Sequence, residues 1–317
     1  MMKVLLTGAN GYIGAQIGRY LSQQGYRLSG LCYPHIPDDE HWRQGFENLF
    51  VCDVRDTDTL KKIAERRYDA IVHLVSLDHH QSNGEPALVT SINVTPTWTL
   101  LDVFSRQGLK KFLYFSTIHV YGPALSGTVT ETHPLCCASP YALTHYLSET
   151  VCRYFGDHSG VACSVARLSN SYGAPVFPDN NCWWLVVNDL CRSMVDDGKM
   201  VLKSDGSPLR DFIHGHDVCR AVQTLLEKGA NNEVYHISSG ITHSILELAE
   251  KIRATAPQSP PVTAAAPLTD RAPARYTIDN SKLRALGFVP EYSLERGIAE
   301  LCQALRKAKT PPASRPE

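Results

Sequence analysis

A short apolar run at residues 3–6 gives way, after three glycines, to a different period. From residue 13 to 21 the apolar positions recur at helical spacing and stop at Gly25. That pattern predicts a strand, a glycine turn and a helix. The alternation then continues. Residues 28–32 and 48–52 read as strands, and residues 60–67 as a helix leading into a strand at 70–74. Residues 97–107 read as a helix leading into a strand at 111–115. A long helix follows at 141–157, and a strand at 162–167. Strands that alternate with helices predict an α/β fold, a Rossmann-type doubly wound parallel sheet.

Beyond residue 170 the pattern loosens. Residues 173–181 are rich in turn formers, and residues 183–195 read as a helix. Residues 257–273 are dense in Pro and Ala and predict a connecting loop. Residues 279–286 and 294–305 look helical, and the polar, proline-containing stretch 307–317 reads as a flexible tail. The expected organisation is a dinucleotide-binding domain over 1–170, with a later segment near 210–240 returning to it. A smaller, discontinuous substrate lobe takes up most of 171–306.

Composition narrows the function. The 31 basic and 32 acidic residues leave a net charge of -1. No polyanion-attracting field results, which argues against nucleic acid as a partner. No apolar run approaches the ~20 residues that span a bilayer, and the first apolar run is too short for a signal peptide. The ten cysteines include no Cys-x-x-Cys pair. In a chain of this size they read as reduced thiols of a cytoplasmic protein, and the same lack of paired ligands argues against zinc or another bound metal.

Four constellations carry chemistry. The first is Gly8-Ala9-Asn10-Gly11-Tyr12-Ile13-Gly14, after a strand and at a helix start. Glycines there allow a tight turn and let backbone amides approach a pyrophosphate. The second is Asp53-Val54 at the end of a strand, where a carboxylate can accept from an adenine amino group. Asp56 and Asp58 better suit the helix cap that follows. The third is Ser116-Thr117-Ile118-His119, leaving a strand at the end where ligands of doubly wound sheets sit. The fourth is Tyr141-Ala-Leu-Thr-His145 at a helix start.

Together these resemble the extended short-chain dehydrogenase/reductase family, in particular its nucleotide-sugar epimerases, dehydratases and 4-ketoreductases. Later stretches are similar to that family too. They are Arg167-x-x-Asn170-x-Tyr172-Gly173, Arg210-Asp211-Phe212-Ile213 with Asp217-Val218, and Asp279-x-Ser281-Lys282. The resemblance implies that Gly8, Asn10, Gly11, Tyr12, Ile13 and Gly14 hold the cofactor pyrophosphate. Asp53 and Val54 would border the adenine, and Leu74, Val75 and Ser76 would line the cofactor. It implies Tyr141 as acid/base, with Thr117 sharing a hydrogen bond to the same substrate oxygen. Tyr141 and His145 would also meet the nicotinamide ribose. Ser116, Asn170, Arg210 and Arg271 would meet the nucleotide-sugar substrate. A homodimer paired through the helices at 97–107 and 141–157 is implied as well.

Three positions depart from that family. Cys32 stands where an acidic residue would bond the ribose hydroxyls of NAD, and no basic residue follows for a 2′-phosphate. NAD is the expected cofactor, with NADP left open. Ile118 and His119 replace the Asp-Glu pair with which dehydratases remove water, which argues against 4,6-dehydration. His119 reads either as a turn residue or as an acid/base in its own right. His145 replaces a lysine. Histidine titrates near ~6.5 and lysine near ~10.4, so the positive charge that would lower the tyrosine pKa is missing at neutral pH. The expected activity is NAD(P)-dependent C4 epimerisation of a nucleotide sugar. Reduction of a 4-keto-deoxysugar nucleotide, and cofactor binding with little or no turnover, stand beside it.

Overall fold

A computed structural model describes residues 1–256, 258–267 and 275–309. Seven parallel strands form the main sheet: β1 (Lys3–Thr7), β2 (Arg27–Cys32), β3 (Asn48–Val51), β4 (Ala70–His73), β5 (Lys111–Thr117), β7 (Ala162–Leu168) and β11 (Glu233–Ile237). Their order is β11-β7-β5-β4-β1-β2-β3. The chain runs outward in both directions from β1 and β4, so the crevice at their carboxyl ends is the topological switch point. β4 is an unbroken apolar stretch closed by His73, buried throughout, as a central strand covered on both faces must be.

Helices cover both faces. They are α1 (Tyr12–Gln23), α2 (Glu40–Arg43), α3 (Thr57–Ala64), α4 (Pro86–Asn93), α5 (Thr95–Ser105), α6 (Pro140–His158) and α8 (Gly215–Lys228). Alternate residues of β5 divide between the two cores. Leu113 and Phe115 join one with α1 and α8, and Phe112 and Tyr114 join the other with α5 and α6. As expected of a carboxylate N-cap, Asp56 accepts from the Thr59 amide at the start of α3.

The second lobe holds α7 (Val186–Asp197), α9 (Ile245–Arg253) and α11 (Leu294–Lys309), packed through Leu190, Met194, Leu248, Ile252, Ile298 and Leu301. Small sheets stitch it to the first. β8 (Asn170–Tyr172) pairs β10 (Leu209–His214), and β10 pairs β12 (Thr242–Ser244). β6 (Gly127–Val129) pairs β14 (Tyr276–Ile278), beside the short helix α10 (Ser281–Ala285). Three local expectations are corrected. α7 starts at Val186 rather than 183, because Leu185 is its extended N-cap. The loop expected at 257–273 contains β13 (Thr263–Ala264), paired with β9 (Val201–Leu202). α11 continues to Lys309, where a tail was expected from 307; residues 310–317, like Arg271, lie outside the described residues.

Candidate active site

The turn after β1 is built on close backbone approach. Gly8 has φ +68°, a left-handed conformation that favours glycine. A Cβ on Gly14 would lie 2.0 Å from the carbonyl oxygen of Gly8, so only glycine lets α1 start that near the turn. No side chain caps α1. Its first amides, with the dipole of a 12-residue helix behind them, suit a pyrophosphate. Thr7 stitches the two halves of the crevice: its Oγ1 accepts from the Leu74 amide (3.1 Å) and lies 2.8 Å from His73 Nδ1. Leu74, Val75 and Ser76 follow β4 at this edge, and Val75 Cγ2 lies against Gly8. These residues fit an NAD pyrophosphate. Gly14→Ala is expected to cost about 1–3 kcal/mol through overpacking and to weaken NAD binding more than tenfold. A melting curve and an NAD titration by calorimetry check both.

The side chains of the turn face elsewhere. Asn10 donates to the carbonyls of Tyr33 and His35, and Tyr12 donates to the Gly173 carbonyl in the second lobe. Only their backbone is left for a cofactor. Asp53 is gripped by the Arg55 guanidinium, Nε to Oδ1 at 2.9 Å, and that pairing holds its carboxyl below the usual range. Val54 beside it is buried. Burial pushes the Cys32 thiol up to about 12, so the end of β2 presents a neutral group.

Ser139 caps α6 and Pro140 occupies its first turn, which puts Tyr141 at the mouth of the crevice. Thr117 stands beside its phenol at the end of β5. Burial raises the Tyr141 pKa to about 12, against the neighbouring Thr117 hydroxyl that lowers it. His145 lies one turn on, its ring centroid 4.3 Å from that of Tyr141. Its Nδ1 donates to the Tyr141 carbonyl (2.9 Å), since a carbonyl can only accept. Burial holds its pKa at about 4, so the ring is neutral and Nε2 keeps a free lone pair. Among the described residues Nε2 has no partner in the protein. A lysine here only donates; this histidine can accept from a ribose hydroxyl instead.

Asn170 opens β8 opposite Phe212 of β10, two residues beyond Arg210. Asn170 donates to the Asp211 carbonyl (2.9 Å), and Arg210 donates to the Leu209 carbonyl. Among the described residues Arg210 has no carboxylate partner, and its charge reaches His119. The strand that carries it is pinned by Asp211, which accepts from Ser169, Ser239, Gly240 and Ile241.

Ser116 is corrected. Expected at the substrate, it is buried and donates to Glu149 Oε1 (2.5 Å). Strand alternation puts it on the face of Phe112 and Tyr114, against α6. Glu149 in turn is bridged by Arg167, Nη2 to Oε2 at 2.7 Å, with both side chains under a tenth exposed. Arg167 also donates to Tyr121, which donates to His236 Nε2. The i, i+4, i+8 spacing of Tyr141, His145 and Glu149 was a readable signal that all three share one face of α6. Nothing local pointed to His79, whose ring lies 4.9 Å from Trp184 across the two lobes.

Residues 4–238 match the NAD dependent epimerase/dehydratase family. The chain is 30% identical over 313 residues to the low-salt glycan biosynthesis protein Agl12 of Haloferax volcanii, covering 95% of this chain and 97% of that one. It superposes on the UDP-glucose 4-epimerase of Thermotoga maritima, solved with UDP-glucose, with TM-score 0.86 and 25% identity over 97% and 99% of the two chains. The dTDP-glucose 4,6-dehydratase DesIV of Streptomyces venezuelae, solved with NAD, gives TM-score 0.81 and 28% identity over 96% and 97%.

Proposed function

This chain belongs to the NAD dependent epimerase/dehydratase family, and within it we propose a nucleotide-sugar C4 epimerase. Enzymes of this kind act on nucleotide sugars with NAD. The finer reading is supported by one observation above all. The Thr117–Tyr141 pair stands at the switch-point crevice, and the next residue, Ile118, is buried and apolar. Isoleucine has no proton to give a leaving hydroxyl, so the pair can handle a C4 oxygen without driving loss of water.

The Gly8–Gly14 turn and the edge at Leu74–Ser76 would hold the dinucleotide, whose nicotinamide supplies reversible hydride acceptance. Tyr141 takes the proton of the C4 hydroxyl and gives it back after the sugar presents its other face. Thr117 holds the same oxygen. Its Oγ1 already accepts from the His119 amide (3.2 Å), which leaves its own proton free to donate. Arg210, with Asn170, would meet the diphosphate, which a planar guanidinium can bind through two oxygens. His145 accepts from the ribose rather than donating to it. The raised Tyr141 pKa favours a second reading, in which the tyrosine works only as proton donor in reducing a 4-keto sugar.

A panel of nucleotide sugars, assayed across pH on the wild type and His145→Lys, tests these readings. Oxidation needs tyrosinate, and its fraction rises tenfold per pH unit below a pKa of about 12. A charged lysine lowers that pKa, and each unit, ~1.4 kcal/mol, gives ~tenfold more tyrosinate at fixed pH. The variant is therefore expected to be faster at neutral pH, or to show a flatter profile. If it is dead while the wild type turns over, histidine is an adapted part of the site. Consumption of NADPH with keto sugars alone indicates the reductase, and no turnover in a folded, NAD-binding chain indicates a binding protein.

A homodimer is part of the proposal. Trp98 on α5 and Leu143, Leu147 and Tyr154 on α6 are exposed, with Trp98 and Tyr154 stacked at 5.8 Å. Such a patch on two adjacent helices suits a twofold interface. Light scattering is expected to give twice the chain mass. Among the described residues no helix is long and apolar enough to cross a membrane.

A further inference from the structure

We propose that Trp184 closes on His79 and His80 as a latch over the cleft, keeping the oxidised sugar inside while it turns from one face to the other. This rests on the C4 redox reading above. Trp184 stands just ahead of α7 in the second lobe, and His79 and His80 follow β4 in the first. The His79 ring lies 4.9 Å from the Trp184 ring, and the His80 ring 6.2 Å from it. The two imidazoles are 3.9 Å apart. All three side chains are exposed, so the core does not hold them together. The turn that carries the imidazoles is built. Asp78 Oδ1 accepts from the amides of His80 (2.9 Å) and Gln81 (2.8 Å), and Asn83 donates to the His79 carbonyl. That turn stands beside the chemistry, since the charge of Asp78 reaches Tyr141.

A few residues upstream the lobes are joined in another way. Tyr12 donates to the Gly173 carbonyl (3.0 Å), Asn180 donates to the Asn10 carbonyl (2.9 Å), and Trp42 packs edge-on against Phe177. Among the described residues no hydrogen bond or ion pair joins Trp184 to residues 76–85, and only rings meet there. The hydrogen-bonded ties over 173–180 make the hinge side. Ring contact at Trp184 makes a side that parts and re-forms easily, because an aromatic pair is a weak contact. Inversion at C4 needs such a closure. Hydride leaves C4 for the nicotinamide and the proton leaves the C4 oxygen for Tyr141. The ketone must then release Tyr141 and Thr117 to present its other face. During that interval no bond at C4 holds the sugar, and Arg210 tethers only the diphosphate. Ring faces make no directional bond, so one wall retains the sugar in either orientation. Escape at this point leaves the hydride on the cofactor and the proton on Tyr141, so each lost ketone leaves one NADH and no inverted sugar. Trp184 and His79 are thus positioning residues that decide between inversion and loss of the ketone.

The test is turnover of UDP-glucose, UDP-glucuronic acid or dTDP-glucose with NAD by the full chain. Released ketone is filtered from the protein, reduced with borodeuteride and counted by mass spectrometry against C4-inverted sugar. In Trp184→Ala the ratio of ketone to inverted sugar is expected to rise at least tenfold, with NAD affinity and melting temperature near wild type. Trp184→Phe keeps a ring and is expected to stay close to the wild-type ratio. His79→Ala is expected to act like Trp184→Ala, and the double variant to add nothing beyond the larger single effect. A raised KM with an unchanged ratio in Trp184→Ala means that the indole only stacks on the substrate, which overturns the latch alone. Effects of the two variants that multiply overturn it as well, as does a wild type that releases ketone as often as it inverts C4. Absence of any sugar turnover overturns the C4 redox reading and this inference with it.

Discussion

Tyr141→Phe is expected to lower kcat for C4 interconversion by about 10²–10⁴-fold, the range of a lost general acid/base. Phenylalanine keeps the ring that packs at 4.3 Å from His145 and removes only the hydroxyl beside Thr117. NAD affinity and the melting temperature are therefore expected to stay close to wild type, because the Gly8–Gly14 turn and the core are untouched. Steady-state kinetics beside an NAD titration separate the two effects. Equal loss of turnover and of NAD binding would mean that Tyr141 mainly shapes the pocket. Unchanged turnover would remove it from the chemistry.

The second large effect lies away from the chemistry. Glu149→Gln leaves the Arg167 guanidinium buried without its charge partner, and breaking such a pair costs about 3–5 kcal/mol. For a chain of this size that lowers the melting temperature by roughly 10 °C. The pair joins α6 to β7, and Ser116 adds β5, so the loss also loosens the register between Tyr141 and Thr117. A fall in kcat measured well below the melting point checks that link. Replacing both partners by Leu and Met, which removes the two charges together, is expected to recover much of the lost stability. If the single variant melts like wild type, the buried pair contributes little and α6 is held by its apolar contacts.

The first half of the fold was legible because its signals are local. β1, the glycine turn and α1 follow from period and glycine spacing over about twenty residues. β4 and β5 follow from short apolar runs with helices between them. Tyr141 and Thr117 were legible as motif residues, since each sits at an element end where ligands of such sheets bind. The second lobe was not. β8, β10 and β12 are short strands from widely separated segments, and only their pairing makes them strands. The Thr263–Ala264 strand is two residues long and has no periodicity to read.

What the sequence determined by itself is the alternation of elements, hence a doubly wound sheet, and the glycine turn that suits a dinucleotide. It also determined that lysine's charge is missing at position 145. The tertiary structure decided where side chains point. Ser116 and Thr117 are neighbours in the chain, yet one turns into the core to Glu149 and the other meets Tyr141. His145 binds its own helix through Nδ1, which leaves Nε2 as an acceptor, and burial makes that state neutral. His119 looked like a turn residue until β5 and α6 packed and brought its ring beside Tyr141. The reason is common to all three. Local patterning selects the elements, but the partner of a polar side chain is chosen by which elements pack together, and those partners lie tens of residues away.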